Sequence, residues 1–167
     1  MSENTNLKQG PLAGLRVLEL GCGVAVPYCT KLLADLGADV VKIESPGTGD
    51  ESRLWGPHVD GKLDPERSGS FLYLNTSKRS VCLDLETEVG RAEFERLANA
   101  SDVLIEDRVP GSLDALGLGA EELSAKNPRL VIVSVTPFGQ TGPNALHQSR
   151  SLNLYHSGGH GSPFTLL

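Results

Sequence analysis

The chain has 167 residues, 39% of them hydrophobic and 22% charged, with a net charge of −6 and a pI near 5.2. That length supports one domain with a real core, and the acidic balance argues against a nucleic-acid or anionic-membrane surface. No apolar run approaches the roughly 20 residues of a membrane-spanning helix; the start MSENTNLKQGPL lacks a signal-peptide core, and Cys22, Cys29 and Cys82 without metal-type spacing predict a reduced, cytoplasmic protein.

Residues 1–13 read as a flexible leader. Val17-Leu18-Glu19-Leu20 then reads as a short buried strand, left through the turn Gly21-Cys22-Gly23. From Val26 the apolar spacing becomes helical, and Val26, Cys29, Leu32, Leu33 and Leu36 are expected on one buried face. Pro27 suits the first helical turn and Gly37 the C-terminal cap. Asp39 to Ile43 forms a second strand ending in Glu44, which completes a β-α-β unit. A glycine turn aimed at a helix N-terminus offers backbone N–H groups and the positive dipole end to a phosphate or carbonyl. An acid ending the second strand can meet a ribose hydroxyl.

Ser45 to Asp50 is turn-rich, and the chain stays irregular and polar to about Gly69 apart from Trp55. A loop of that length in a small domain is usually functional or disordered. Phe71 to Leu74 is apolar, and Val81 to Leu85 reads as a third strand. Thr87 caps a helix to about Ala98, with Val89, Phe94 and Leu97 expected toward the core. Asp102 to Glu106 is a fourth strand, and Val109-Pro110-Gly111 breaks the chain. Short helices follow at Ser112–Leu116 and Ala120–Lys126, the second stopped by Asn127-Pro128. Leu130 to Val135 is the fifth strand, leading into the glycine-rich loop Phe138 to Pro143. Strands that alternate with helices and read as apolar runs predict a Rossmann-like parallel sheet with helices on both faces. Ser151 to Leu167 carries no charged side chain and no clear period. The expected organisation is a leader at 1–13, a Rossmann-like domain at 14–145 and, at 146–167, the start of a connection to a second half.

Several residues invite sharper readings. VLELGCG resembles the first motif of S-adenosylmethionine-dependent methyltransferases, with Glu44 placed like their ribose-binding acid, but that likeness explains only Val17 to Glu44. Gly21-x-Gly23-x-x-Val26 lacks the third glycine of a dinucleotide fingerprint. Lys78-Arg79 can bind phosphate or pair with acids. Cys22, in the turn, reads as a small turn residue before a nucleophile. His156 and His160 have a spacing metals use but no third ligand nearby, so no metal is expected.

Five stretches, PLAGLRVLEL at 11–20, LLADLGADVVKIE at 32–44, LNTSKRSVCLDLET at 74–87, ASDVLIEDRVPGSLDALGLG at 100–119 and NPRLVIVSVTPFGQTGP at 127–143, together resemble the family III CoA-transferases. That group includes formyl-CoA transferase, carnitine CoA-transferase and the acyl-CoA racemases. The resemblance implies a domain that holds the nucleotide of coenzyme A, in a protein that moves CoA from an acyl-CoA to a carboxylic acid. In the family an aspartate attacks the thioester, acyl and CoA are exchanged through anhydride and enzyme-thioester intermediates, and two complete chains interlock as a dimer. The nucleophile lies past the second glycine-rich loop. After Asp114 this sequence has no aspartate, and its later acids, Glu121 and Glu122, sit in a helix, so no catalytic residue is assigned and the chain alone is expected to be inactive. The racemase branch carries a histidine–aspartate pair where this chain has Arg150 and Ser151, with His147 three residues early; racemisation is therefore disfavoured.

The resemblance also assigns CoA contacts. Val24 and Ala25 would meet the adenosine or pantetheine through backbone groups, and Ser45 takes a place where many members have a basic residue or proline. Leu83, Asp84, Leu85 and Glu86 match the stretch lining the nucleotide pocket, with Glu86 where lysine is common. Asp107, Arg108 and Val109 match an Asn-Phe-x-Pro-Gly loop, with Asp107 for asparagine and Arg108 for phenylalanine, and Ala115 replaces an arginine of some members. These exchanges predict weaker attraction for the phosphates of CoA, partly offset by Arg108. Two other readings stay open: a CoA-binding or dimerisation module without catalysis, and the methyltransferase.

Overall fold

Short runs rich in Val, Leu and Ile form β1 (Arg16–Leu20), β2 (Asp39–Glu44), β3 (Arg79–Cys82), β4 (Val103–Glu106) and β5 (Val131–Ser134). In the computed structural model, which describes residues 10–158, these strands pair in the order β3-β2-β1-β4-β5, every neighbouring pair parallel. Parallel strands need crossovers, supplied by α1 (Ala25–Asp35), α2 (Gly69–Leu74), α3 (Glu88–Asn99), α4 (Ser112–Ala115) and α5 (Ala120–Lys126); α6 (Ser151–Ser157) follows β5.

Because side chains alternate along a strand, the sheet builds two cores. Leu18, Leu20, Ile43 and Leu104 pack with Phe94 and Ala98 of α3 and Leu123 of α5. On the other face Val17, Val40 and Ile105 pack with Val26 and Ala34 of α1. The fold is thus the expected α/β sheet with helices on both faces. Its cover is incomplete at one edge: Val131 and Val133 of β5, on the α1 side, are 56% and 39% exposed.

Two helical faces differ from expectation. In α1 the buried residues are Val26, Pro27, Thr30 and Ala34, while Cys29, Leu32 and Leu36 are exposed and Leu33 is half-buried. The i, i+4, i+8 row of small side chains lets the helix lie close to the sheet, and the larger leucines are turned away. In α3 Val89 is 80% exposed, and Gly90, Phe94 and Ala98 are the buried row. A Cβ at Gly90 would lie 1.9 Å from the Asp84 carbonyl oxygen, so only glycine permits this approach. Thr87 caps the helix as expected, its Oγ1 accepting from the Gly90 N–H at 3.0 Å.

β3 ends at Cys82, earlier than expected. Leu83 to Glu86 form a turn instead, fixed by Leu83 N–H to Glu44 O at 3.0 Å and Glu86 N–H to Asp84 Oδ1 at 3.0 Å. The long segment after β2 is ordered by short 3-10 turns at Glu51–Leu54 and Val59–Gly61. The Ser68 hydroxyl ties it down, its one proton lying between the Ser52 and Trp55 carbonyl oxygens, each 2.7 Å from Oγ. In the expected leader, residues 10–13 turn back on α1, with Leu12 N–H donating to Leu36 O at 3.0 Å. Residues 1–9 and 159–167, His160 and the last part of the expected connection among them, lie outside the described residues.

Candidate functional site

β1, β2 and β3 run parallel, so their carboxyl ends open on one edge of the sheet. There the turn after β3 and the segment after β4 enclose a cleft of about 520 Å³. Ser45, Leu83, Asp84, Leu85, Glu86, Arg108 and Val109 all line it, together with Ala115. Its apolar surface comes from Leu20, Ile43, Leu113 and Leu116. The remaining candidates lie elsewhere. Val24, Ala25 and Asp107 border a wider cavity of about 1000 Å³ with Glu51, Trp55 and Arg150. Asp107 and Arg108, adjacent in sequence, each line a cavity that the other does not, and both border a third of about 580 Å³ with Val109, Thr136 and Leu146.

The glycine turn between the two cavities rests on buried charges. Glu19 and Lys42 face each other across β1 and β2, within the apolar α1 side of the sheet. Lys42 Nζ lies 2.7 Å from Glu19 Oε1 and from Asp50 Oδ2, and donates to the Gly21 carbonyl at 2.7 Å. Asp50 Oδ1 accepts from the Gly23 and Ser52 N–H groups at 3.1 and 2.8 Å. Lys78 Nζ completes the cluster 2.9 Å from Glu19 Oε2, and Thr30 Oγ1 donates to the same oxygen at 2.6 Å. Burial works against the charge on Lys42, yet Glu19 and Asp50 outweigh it and raise its pKa. Burial also opposes ionisation of Asp50, but Lys42 holds its carboxyl below the ordinary range. At Lys78 burial wins and lowers the pKa despite Glu19.

Of the pair considered for phosphate, then, Lys78 is committed to Glu19, and Arg79 pairs with Asp39 at 2.6 Å. Glu44 is likewise occupied. Its carboxylate accepts from Arg53 Nε at 2.7 Å, Arg53 Nη2 at 3.0 Å, the Ser80 hydroxyl at 2.5 Å and the Asp50 N–H at 3.1 Å. Burial alone would raise its pKa, and these donors bring it below the usual value. No lone pair is left facing a ribose, which removes the main support of the methyltransferase reading. Burial, reinforced by Asp50 and Asp107, pushes the Cys22 thiol pKa up, the opposite of an activated nucleophile.

Asp107 closes the crevice between β1 and β4, its Oδ2 accepting from the Cys22 N–H at 2.8 Å. Burial raises its pKa beyond what the Cys22 N–H and Arg108 offset. Pairing with acids was one of the two readings of Lys78-Arg79, and it is the one the structure shows, whereas the central roles of Lys42 and Asp50 were missed by sequence reasoning. Their signal was available in Glu19 and Lys42, opposite charges at alternating, otherwise apolar strand positions. Asp50, by contrast, comes from a loop and carries no such mark. Among the described residues no group of three or more His, Cys, Asp or Glu side chains is arranged to hold a metal ion.

A parallel, doubly wound sheet with its cleft beyond the strand carboxyl ends defines the class of α/β domains that bind ligands at that edge. Within that class the chain belongs to CoA-transferase family III, whose pattern it matches across residues 12–160. It is 46% identical over 136 residues to a succinyl-CoA–D-citramalate CoA-transferase of Chloroflexus aurantiacus, covering 80% of this chain and 32% of that protein. It is 43% identical over 147 residues to a succinate–glutarate CoA-transferase of Agrobacterium fabrum, covering 87% and 36%. A crystal structure of a CaiB/BaiF family protein from Brucella suis matches with a TM-score of 0.82 at 42% identity, over 91% of this chain and 40% of that one. The chain spans about a third of the length of the curated relatives it matches.

Proposed function

We propose that this chain is the CoA-binding part of an enzyme that moves CoA between an acyl-CoA and a carboxylic acid. The observation that carries the reading is the convergence of Ser45, Leu83, Asp84, Leu85, Glu86, Arg108 and Val109 on one cleft at the sheet's carboxyl edge. A cleft of that volume suits a nucleotide-sized ligand. Its leucines offer an apolar bed to the adenine ring, and Asp84 and Glu86 offer acceptors to ribose hydroxyl and amino groups. Val24 and Ala25, beside the second cavity, would hold the pantetheine arm through backbone groups. Transfer itself needs a carboxylate nucleophile, and no aspartate follows Asp114 here, so the chain alone is expected to bind without turning over. The relatives' names, which pair succinyl-CoA with citramalate or succinate with glutarate, make dicarboxylic acids the first acceptors to test in a complete enzyme. A cytoplasmic setting belongs to the same reading, supported by the free Cys22, Cys29 and Cys82.

Calorimetric titration with CoA, with S-adenosylmethionine as control, tests this. Heat with CoA alone is expected; heat only with the control, or with neither ligand, overturns it. A second reading, association through the open sheet edge, is favoured by the exposure of Val131 and Val133 and of Tyr28, Leu32 and Leu36 on α1. It predicts a mass that grows with concentration in light scattering, and a constant monomer mass would count against it.

A further inference from the structure

The glycine turn after β1 takes its shape from side chains that reach it from distant parts of the chain. The Gly21 carbonyl accepts from Lys42 of β2, the Cys22 N–H donates to Asp107 beyond β4, and the Gly23 N–H donates to Asp50 from the loop after β2. Gly23 sits at φ +70°, a conformation glycine adopts without cost. No side chain caps α1 at Val24, so the direction of the first N–H groups of α1 follows the turn. Asp50 stands apart among the three holders. It is 1% exposed and does not line the wider cavity, yet its Oδ1 accepts from both the Gly23 and the Ser52 N–H groups. Ser52 belongs to the 3-10 turn Glu51–Leu54, which delivers Glu51 and Trp55 to the far side of Gly23. A Cβ on Gly23 would meet Glu51 Oε1 at 2.9 Å and the Trp55 ring at 3.2 Å. One buried oxygen thus joins the floor of the wider cavity, Cys22 to Ala25, to its wall, Glu51 and Trp55. The other oxygen of the same carboxylate is paired with Lys42 at 2.7 Å, which holds Asp50 in place.

We infer that Asp50 is the positioning residue of the wider cavity, setting the glycine floor through Gly23 and the Glu51–Trp55 wall through Ser52 while touching no ligand itself. A turn left without that acceptor must be ordered when a ligand arrives, and the ordering is subtracted from the affinity. The role rests on the reading of this cavity as the place of the pantetheine arm, and it is separate from the nucleotide cleft beside β3. What the turn needs from residue 50 is an acceptor oxygen, whereas the negative charge serves the pairing with Lys42. The two needs separate when both charges are removed together, because Glu19 and Lys78 then remain as a balanced pair.

The double variants K42M/D50N and K42M/D50A test this against the wild-type chain. Both lose the Lys42 bond to Gly21 alike, and only the first keeps a side-chain oxygen for Gly23 and Ser52. K42M/D50A should bind CoA about tenfold or more weakly than K42M/D50N, the loss of one buried acceptor. Adenosine 3′,5′-bisphosphate, which lacks the pantetheine arm, should bind both variants equally. Hydrogen exchange at the Gly23 amide, read by NMR, gives a second measure without any ligand. It should be slow in the wild type and K42M/D50N, and about tenfold or more faster in K42M/D50A. Equal CoA affinity in the two variants overturns the role of Asp50 and leaves the CoA reading standing. A parallel loss for the bisphosphate also overturns it, since a merely structural defect weakens both ligands. If the wild type binds no CoA, the CoA reading falls, and the exchange pattern alone then upholds or overturns the fixing of the turn by Asp50. If neither double variant folds, the wild type carries the test: a Gly23 amide that exchanges as fast as an unstructured one overturns the role, and a protected one supports it.

Discussion

Lys42 is held between two carboxylates where water cannot reach, its side chain 1% exposed beside Glu19 at 0%. Removing one partner of a buried ion cluster strands the others, which costs about 3–5 kcal/mol. Lys42→Met should therefore lower the free energy of urea unfolding by about that amount, although methionine fits the apolar strand better by composition. Asp107 makes a second case. Asp107→Asn keeps an oxygen to accept from Cys22 N–H and removes a negative charge beside the wider cavity. Titration calorimetry should find CoA bound about two- to tenfold more tightly by this variant, the effect of relieving one like-charge contact with an anionic ligand. The expected conflict between Asp107 and a polyanionic ligand came from the family resemblance, which sets Asp107 where relatives carry asparagine in a CoA-contact loop. The Lys42 cluster was half legible, since register joins Glu19 to Lys42 but only the folded loop delivers Asp50.

At the scale of elements, α3 separates propensity from packing. Thr87→Ala removes the N-cap acceptor and should cost about 1 kcal/mol. Gly90→Ala should gain about 1 kcal/mol on helix propensity alone. A Cβ there would meet the Asp84 carbonyl oxygen at 1.9 Å, so the variant should instead be destabilised by about 2 kcal/mol or more in chemical denaturation. The displaced turn carries Asp84 to Glu86, so the same change should disturb the cleft. Helix and strand identities followed from periodicity and caps, as did the burial of Val26 in α1 and of Phe94 in α3 with Leu97 half-buried beside it, but the rest of those two faces did not. Periodicity turns every large apolar residue inward, whereas close approach to a parallel sheet adds small ones, Thr30 and Ala34 in α1 and Gly90 and Ala98 on either side of Phe94 in α3. Leu32, Leu36 and Val89 are left outside as a consequence.

Across the whole molecule, the buried carboxylates predict acid lability with a definite sign. Asp50 and Glu44 have folded-state pKa values below their unfolded ones, where Lys42 and the Arg53 and Ser80 donors overcome the burial that opposes ionisation. Their contribution is therefore present above the unfolded values of about 4 and lost as pH falls through the lower folded values. Asp107, raised by burial, works in the opposite direction as it protonates. Urea midpoints should fall between about pH 5 and pH 2, and a profile that stays flat would show that the network does not stabilise the fold.

The amino-acid sequence by itself determined the order of strands and helices, the parallel α/β class and the family resemblance, because these depend on local pattern and on stretches kept in order. It also placed Leu83 to Glu86 and Arg108 among the candidate contacts. Tertiary structure alone decided that Asp107 borders the wider cavity while Arg108 and Ser112 line the cleft beside β3, and that Glu44 and Lys78 are taken by partners within the chain. Those outcomes depend on which groups distant in sequence arrive at the same edge of the sheet, and on the hydrogen bonds already satisfied when a ligand approaches.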